Sequence, residues 1–89
     1  MERAAKDSQI IGIVAVNVRI ARKLAGLSQE QLAFEAQLDR TYISQVERKQ
    51  RNVTISVLAR LAKALGVTPD RLLVPSSGAS LSRTKKRRA

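Results

Sequence analysis

A chain of 89 residues is long enough for one domain and no more. Apolar residues make up 44% of it, with one Phe, one Tyr and no Trp, so any core is aliphatic; the absence of Cys and His removes disulfides, thiolate metal sites, the commonest metal ligand and the commonest general base. Lys and Arg number 17 against 7 Asp and Glu, and a net charge of +10 on so small a protein points to a polyanion, most often nucleic acid, ahead of solubility alone.

The opening residues MERAAKDS mix both charges and do not read as a signal peptide. The apolar run IIGIVAV is too short to span a bilayer, so a cytoplasmic protein with no membrane partner is expected. From there the pattern is ambiguous. Val14, Val16, Val18 and Ile20 alternate as in a strand, whereas Ile11, Val14, Val18, Ala21 and Ala25 recur at helical spacing and run on to Gly26 as a stop. A helix over 8–25 is the preferred reading, because a lone strand among helices would leave its backbone groups unpaired.

Three hydrophobic staples around helix N-caps follow. Leu27, Ser28 and Leu32 form the first, and Gln31 completes a capping box, which predicts a helix over 28–36. Leu38, Asp39 and Ile43 form the second and predict a helix over 39–48. Thr54 caps a run in which Ile55, Leu58, Leu61, Ala62 and Leu65 recur at helical spacing, with Gly66 just beyond its end. Val67, Thr68 and Leu72 form the third staple, with Pro69 at the first helical position, and predict a short helix over 69–73. The expected fold is all-α, five helices packed in one compact domain over 8–74. Residues 75–89 are rich in Ser, Gly and Arg and read as a disordered basic tail, either a non-specific DNA tether or an inert solubiliser. Arg83, Lys85, Lys86, Arg87 and Arg88 give that tail +5, and ten bases against five acids give residues 8–74 another +5, so the body is basic without it.

The helices over 28–36 and 39–48 have almost no linker, so they cannot lie antiparallel and must cross steeply, as in a helix-turn-helix. The stretch LSQEQLAFEAQLDRTYISQVERKQRN, followed by LARLAKALGVTPDRLL, resembles the phage-repressor (lambda-repressor-like) class of helix-turn-helix DNA-binding domains. Within that class, LDRTYIS with the following ER, RN and TI is similar to the controller proteins of restriction–modification systems. The resemblance covers about residues 11–74. It implies a five-helix domain that binds double-stranded operator DNA as a homodimer and controls transcription. It also implies a structural contact between Arg22 and Glu47, whose charges are opposite.

The residues agree with that frame. Ala33 sits where the two motif helices should cross, and Ile43 and Val46 share a face that anchors the third helix. Arg40, Thr41, Ser44 and Gln45 then fall on the open side, where Arg can meet guanine, Gln adenine and the Thr methyl thymine. Ser28 and Gln29 start the second helix, whose amides attract phosphate. Tyr42, Arg51 and Asn52 are further candidates for the DNA backbone. Val67, Leu72, Leu73 and Val74 offer more apolar surface than a short helix can hide, and are the expected dimer interface. Exposed Glu30 and Glu35 are candidates for contact with RNA polymerase. Two departures from the family pattern stand out: Gln37 replaces the usual Gly of the turn, and Lys49 and Val53 stand where Gly and Pro are frequent. A protein-interaction module of antitoxin type, which also binds DNA, is the alternative; it would want an apolar or acidic extension where this tail is basic. Glu30, Glu35, Asp39 and Glu47 are the only central acids and build no arguable pocket, so no enzyme, cofactor or metal site is expected.

Overall fold

The computed structural model describes residues 2–75 and 78–82. They are all-α, with no strand among them. Helix α1 spans Glu2–Leu24, α2 Gln29–Ala36, α3 Arg40–Glu47 and α4 Ile55–Leu65. A 3-10 turn, Pro69–Leu72, and a single helical turn, Gly78–Leu81, complete the order. No helix among the described residues is long and apolar enough to cross a membrane.

The ambiguous first segment is helical because only the helical period buries the right residues. Val14 and Val18 lie in the core with Ala15 and Ala21, while Val16, which a strand would place beside them, is exposed. The helix ends at Gly26 in the left-handed region. Ser28 then caps α2 in a complete capping box: its hydroxyl accepts from the Gln31 N–H at 3.0 Å and its own N–H donates to Gln31 Oε1 at 2.8 Å. Thr54 caps α4 through its hydroxyl, which accepts from the Val57 N–H. Asp39 and Thr68 occupy N-cap positions in extended conformation, but neither side chain makes a capping bond. Leu27 and Leu38 pack against the core, so two staples hold their entry angles by apolar contact.

The core is aliphatic: Leu32, Ile43, Leu61, Leu65, Leu72, Val18 and Val46 are all fully enclosed. The only buried polar residue among those described is Asn17. Its Nδ2 donates to the carbonyls of Arg71 (3.3 Å), Leu72 (3.1 Å) and Val74 (2.7 Å). This corrects the expected fifth helix. Residues 69–73 close as one 3-10 turn, with the Leu73 N–H donating three residues back to Asp70. Asn17 takes the carbonyls that a further α-turn would use, and Pro75 could not continue the helix. Over the expected domain 8–74, four α-helices and one 3-10 turn therefore stand where five helices were expected.

The expected disordered tail is also corrected in part. Within 75–89, Gly78–Leu81 is helical, Leu81 is fully buried in the main core, and Arg71 Nη1 donates to the Ser80 carbonyl at 3.1 Å. The five tail cations at 83–88 lie outside the described residues.

Candidate nucleic-acid interface

Helix α3 is anchored by one face. Ile43 and Val46 are buried, and Ala33 on α2 is small enough to be buried with them. The turn between α2 and α3 runs through Gln37, at φ 60° and ψ 48°, and the Leu38 N–H returns to the Ala33 carbonyl at 2.8 Å. Gln37 thus adopts the left-handed conformation for which Gly is the usual residue.

The far end of α3 is tied down by charge. Arg22 on α1 grips Glu47 with two bonds, Nε to Oε2 at 2.6 Å and Nη2 to Oε1 at 3.0 Å. Their side chains are only 11% and 5% exposed. Arg22 Nη1 also donates to the Leu27 carbonyl at 2.9 Å, and Gln29 Nε2 donates to Glu47 Oε1 at 3.1 Å. One guanidinium and one carboxylate therefore join α1, the turn after it, the start of α2 and the end of α3.

With that face and that end fixed, Arg40 and Thr41 stand exposed on the first turn of α3, and Ser44 and Gln45 are half-exposed one turn later. Tyr42 is half-buried against the core. The loop after α3 turns back through Lys49, also left-handed at φ 64°, and brings Arg51 across the helix. The Arg51 guanidinium lies 4.5 Å from the Tyr42 ring centroid and its Nε donates to Gln45 Oε1 at 3.1 Å. Gln37, Thr41, Tyr42, Gln45 and Arg51 line one recess beside α3. Asn52 is exposed next to it.

The structure therefore gathers Thr41, Tyr42, Gln45 and Arg51 around one recess, with Arg40 and Ser44 on the same open side of α3, whereas Asn52 lines the separate groove that includes Ile10 and Ile55. It uses the side chains of Ser28 and Gln29 differently: the first closes the capping box and the second braces Glu47. Sequence reasoning missed the Tyr42–Arg51–Gln45 brace, since the loop over 48–54 offers no period from which its return path could be read. It missed Arg60 as well, whose Nε donates to the Ala36 carbonyl at 3.1 Å and whose Nη2 donates to the Gln37 carbonyl.

Two of the four expected dimer-interface residues are corrected. Val67 and Leu72 are buried in the protein's own core and have no surface to offer a partner. Leu73 and Val74 remain, 39% and 52% exposed. Ile55, whose spacing put it with the core residues of α4, is the first residue of that helix and is 87% exposed. Ile10, Ile11, Val14, Val53, Ile55 and Leu73 line one shallow apolar groove.

Comparison with known proteins bears directly on this arrangement. The family described as helix-turn-helix matches residues 18–72. Control protein C.SmaI of Serratia marcescens is 57% identical over 61 residues, which span 68% of this chain and 73% of that protein. Among solved structures, the hypothetical transcription factor NHTF from Neisseria superposes with a TM-score of 0.74 at 43% identity, over 78% of this chain and 79% of that one. The restriction-modification controller protein C.AhdI from Aeromonas hydrophila superposes with a TM-score of 0.68 at 44% identity, over 70% of this chain and 94% of that one.

Proposed function

The chain belongs to the helix-turn-helix family of DNA-binding transcriptional regulators, and from that premise we propose that it is a restriction–modification controller that reads its operator with α3 as a homodimer. The observation that supports this best is the division of α3 into an anchored apolar face and an open polar one. Ile43 and Val46 hold the helix, and its first two turns present Arg40, Thr41, Ser44 and Gln45. In the proposed complex these four meet base edges in the major groove, with Arg40 suited to guanine O6 and N7. The Arg51 contact leaves the Gln45 Nε2 donors and one Oε1 lone pair for adenine.

Phosphate contacts are assigned around this reading surface. The main-chain N–H groups at Ser28 and Gln29 begin α2, where the helix dipole favours an anion. Ser28's N–H is already held by Gln31, so Gln29's is the better donor. Tyr42, Arg51 and Asn52 supply the opposite wall. Dimerisation through Leu73 and Val74, extended by Ile10 and Ile55, is supported by the exposure of all four apolar side chains and by the groove that Leu73, Ile10 and Ile55 line together. Contact with RNA polymerase through Glu30 and Glu35 is supported by their exposure on α2 beside Phe34, an aromatic 84% exposed.

Selection of bound sites from random duplexes tests the reading. The expected product is a two-fold-symmetric site with half-sites about one helical turn, roughly 34 Å, apart. In the parent genome that site should lie upstream of a restriction or modification gene. Enrichment of no sequence over the starting pool would overturn operator recognition, and enrichment without such a genomic location would overturn the controller role alone.

A further inference from the structure

Among the described residues, four helix ends close with the same pair of bonds. A left-handed residue sends its N–H three residues back, and the next N–H reaches five back. At Gly26 these bonds run to Lys23 and Arg22, and at Gly66 to Lys63 and Ala62. At Gln37 they run to Phe34 and Ala33, and at Lys49 to Val46 and Gln45. Glycine fills the two that end α1 and α4. Residues with a Cβ fill the two that bracket α3, at φ 60° and 64°. A side chain in that region crowds its own backbone, so backbone strain is concentrated at both hinges of one helix.

At Gln37 the strained turn has a specific partner. Arg60 lies on α4, beyond α3 and more than twenty residues away, yet it donates to the carbonyls of both Ala36 and Gln37. Carbonyls at a helix C-terminus have no donor within the helix and carry the negative end of its dipole, so a cation with two parallel N–H groups suits them. The simplest role for an exposed Arg in a basic DNA-binding protein is to meet phosphate, but here the guanidinium is turned into the protein's own backbone.

We propose that Arg60 is a positioning residue for operator recognition: its guanidinium locks the left-handed Gln37 turn, and so fixes the angle at which α3 leaves α2. It takes over the task that a Gly at 37 would perform by itself. The proposal rests on the reading that α3 contacts the operator, and its test separates the two.

Arg60→Gln, Gln37→Gly and the double variant of the full chain are titrated on a selected operator duplex and a scrambled one at several salt concentrations, with urea unfolding alongside. Arg60→Gln is expected to weaken operator binding about tenfold, a middling value for directly coupled neighbours. It should leave scrambled binding and the slope of log affinity against log salt unchanged, because no phosphate contact is lost. It should also lower the urea midpoint. Gln37→Gly in the same background should restore most of both losses, since Gly needs no clamp in this conformation. Lys49→Gly, at the other hinge, should not restore operator binding, and its gain in urea midpoint should be the same with and without Arg60→Gln. Should Arg60→Gln be too unstable to titrate, Arg60→Lys, which keeps the charge but cannot span both carbonyls, is read in the same way.

Equal weakening on both duplexes, with a salt slope shallower by about one, would make Arg60 a phosphate ligand and overturn the proposal. Strict additivity of the 60 and 37 substitutions in urea would overturn it as well. An Arg40→Ala control that keeps full operator preference would overturn the assignment of α3 instead, while the coupling in urea would still be measured.

Discussion

Arg22 and Glu47 share one bidentate contact, and little of either side chain is exposed. Taking two charges out of water is costly, and removing one of them leaves the other stranded. Glu47→Gln should therefore lower stability by about 3 kcal/mol, read as a shift in urea midpoint at constant slope. The loss should exceed that for a surface pair because Gln29 and the Leu27 carbonyl bind the same two side chains. Arg40 sits at the other end of α3 and its removal should have the opposite profile. Arg40→Ala should leave the urea midpoint nearly unchanged and weaken operator binding by about 1–3 kcal/mol per half-site, with far less effect on a scrambled duplex. Equal loss on both duplexes would make Arg40 a phosphate ligand. The ion pair was readable from the sequence only through family resemblance, because nothing local joins residues 25 apart. Its partner Gln29 was not readable at all: a Gln at the first position of a helix looks the same whether it faces water or a carboxylate.

The helices that bury an amphipathic face were legible, since apolar spacing and capping residues act within one or two turns. Ser28 with Gln31, and Thr54 with the run to Leu65, made the local bonds that their spacing implies. Where the deciding partner is distant, the sequence fell short. The segment 69–73 has a capping residue type in Thr68 and a Pro at its first position, yet the Thr68 side chain makes no capping bond, and Asn17 on α1 claims the segment's carbonyls where it stops at one 3-10 turn. The turn Gly78–Leu81 failed for another reason: one apolar residue in a Ser-rich stretch has no period to detect. Leu81 nevertheless lies wholly inside the core. Leu81→Ala should cost about 2–3 kcal/mol, as for other enclosed leucines, and should be visible as a lower urea midpoint. An unchanged midpoint would mean that the turn contributes nothing to the folded body.

For the molecule as a whole, the burial of Leu81 decides where the basic arm can be removed. A cut at residue 75 would take part of the core with the charge, whereas a cut after Ser82 removes Arg83, Lys85, Lys86, Arg87 and Arg88 alone. The shorter deletion should flatten the dependence of log affinity on log salt, because mobile counterions are displaced in proportion to the cations that meet phosphate. The preference for operator over scrambled DNA should survive it, since base reading is assigned to Arg40, Thr41, Ser44 and Gln45 on α3. A fall in that preference would show that the arm reads groove shape or sequence. Assembly is tested by sedimentation. The wild-type chain is expected to be a dimer at tens of micromolar, and replacing exposed Leu73 and Ile55 together by Glu should leave folded monomers, as charge cannot be buried unpaired across an apolar groove. Retention of the dimer by that variant would move the interface elsewhere.

Asn17 also sets the boundaries within which this protein can be moved between contexts. Its amide and the Val74 carbonyl it binds fall just outside opposite ends of the span 18–72 that the family matches. A DNA-reading module excised at those limits, for fusion to another protein, would lose the donor at one cut and an acceptor at the other. The smallest transplantable unit is longer than the recognisable motif, and a grafted version should include Val14 and Asn17 on α1 and the chain through Ser82.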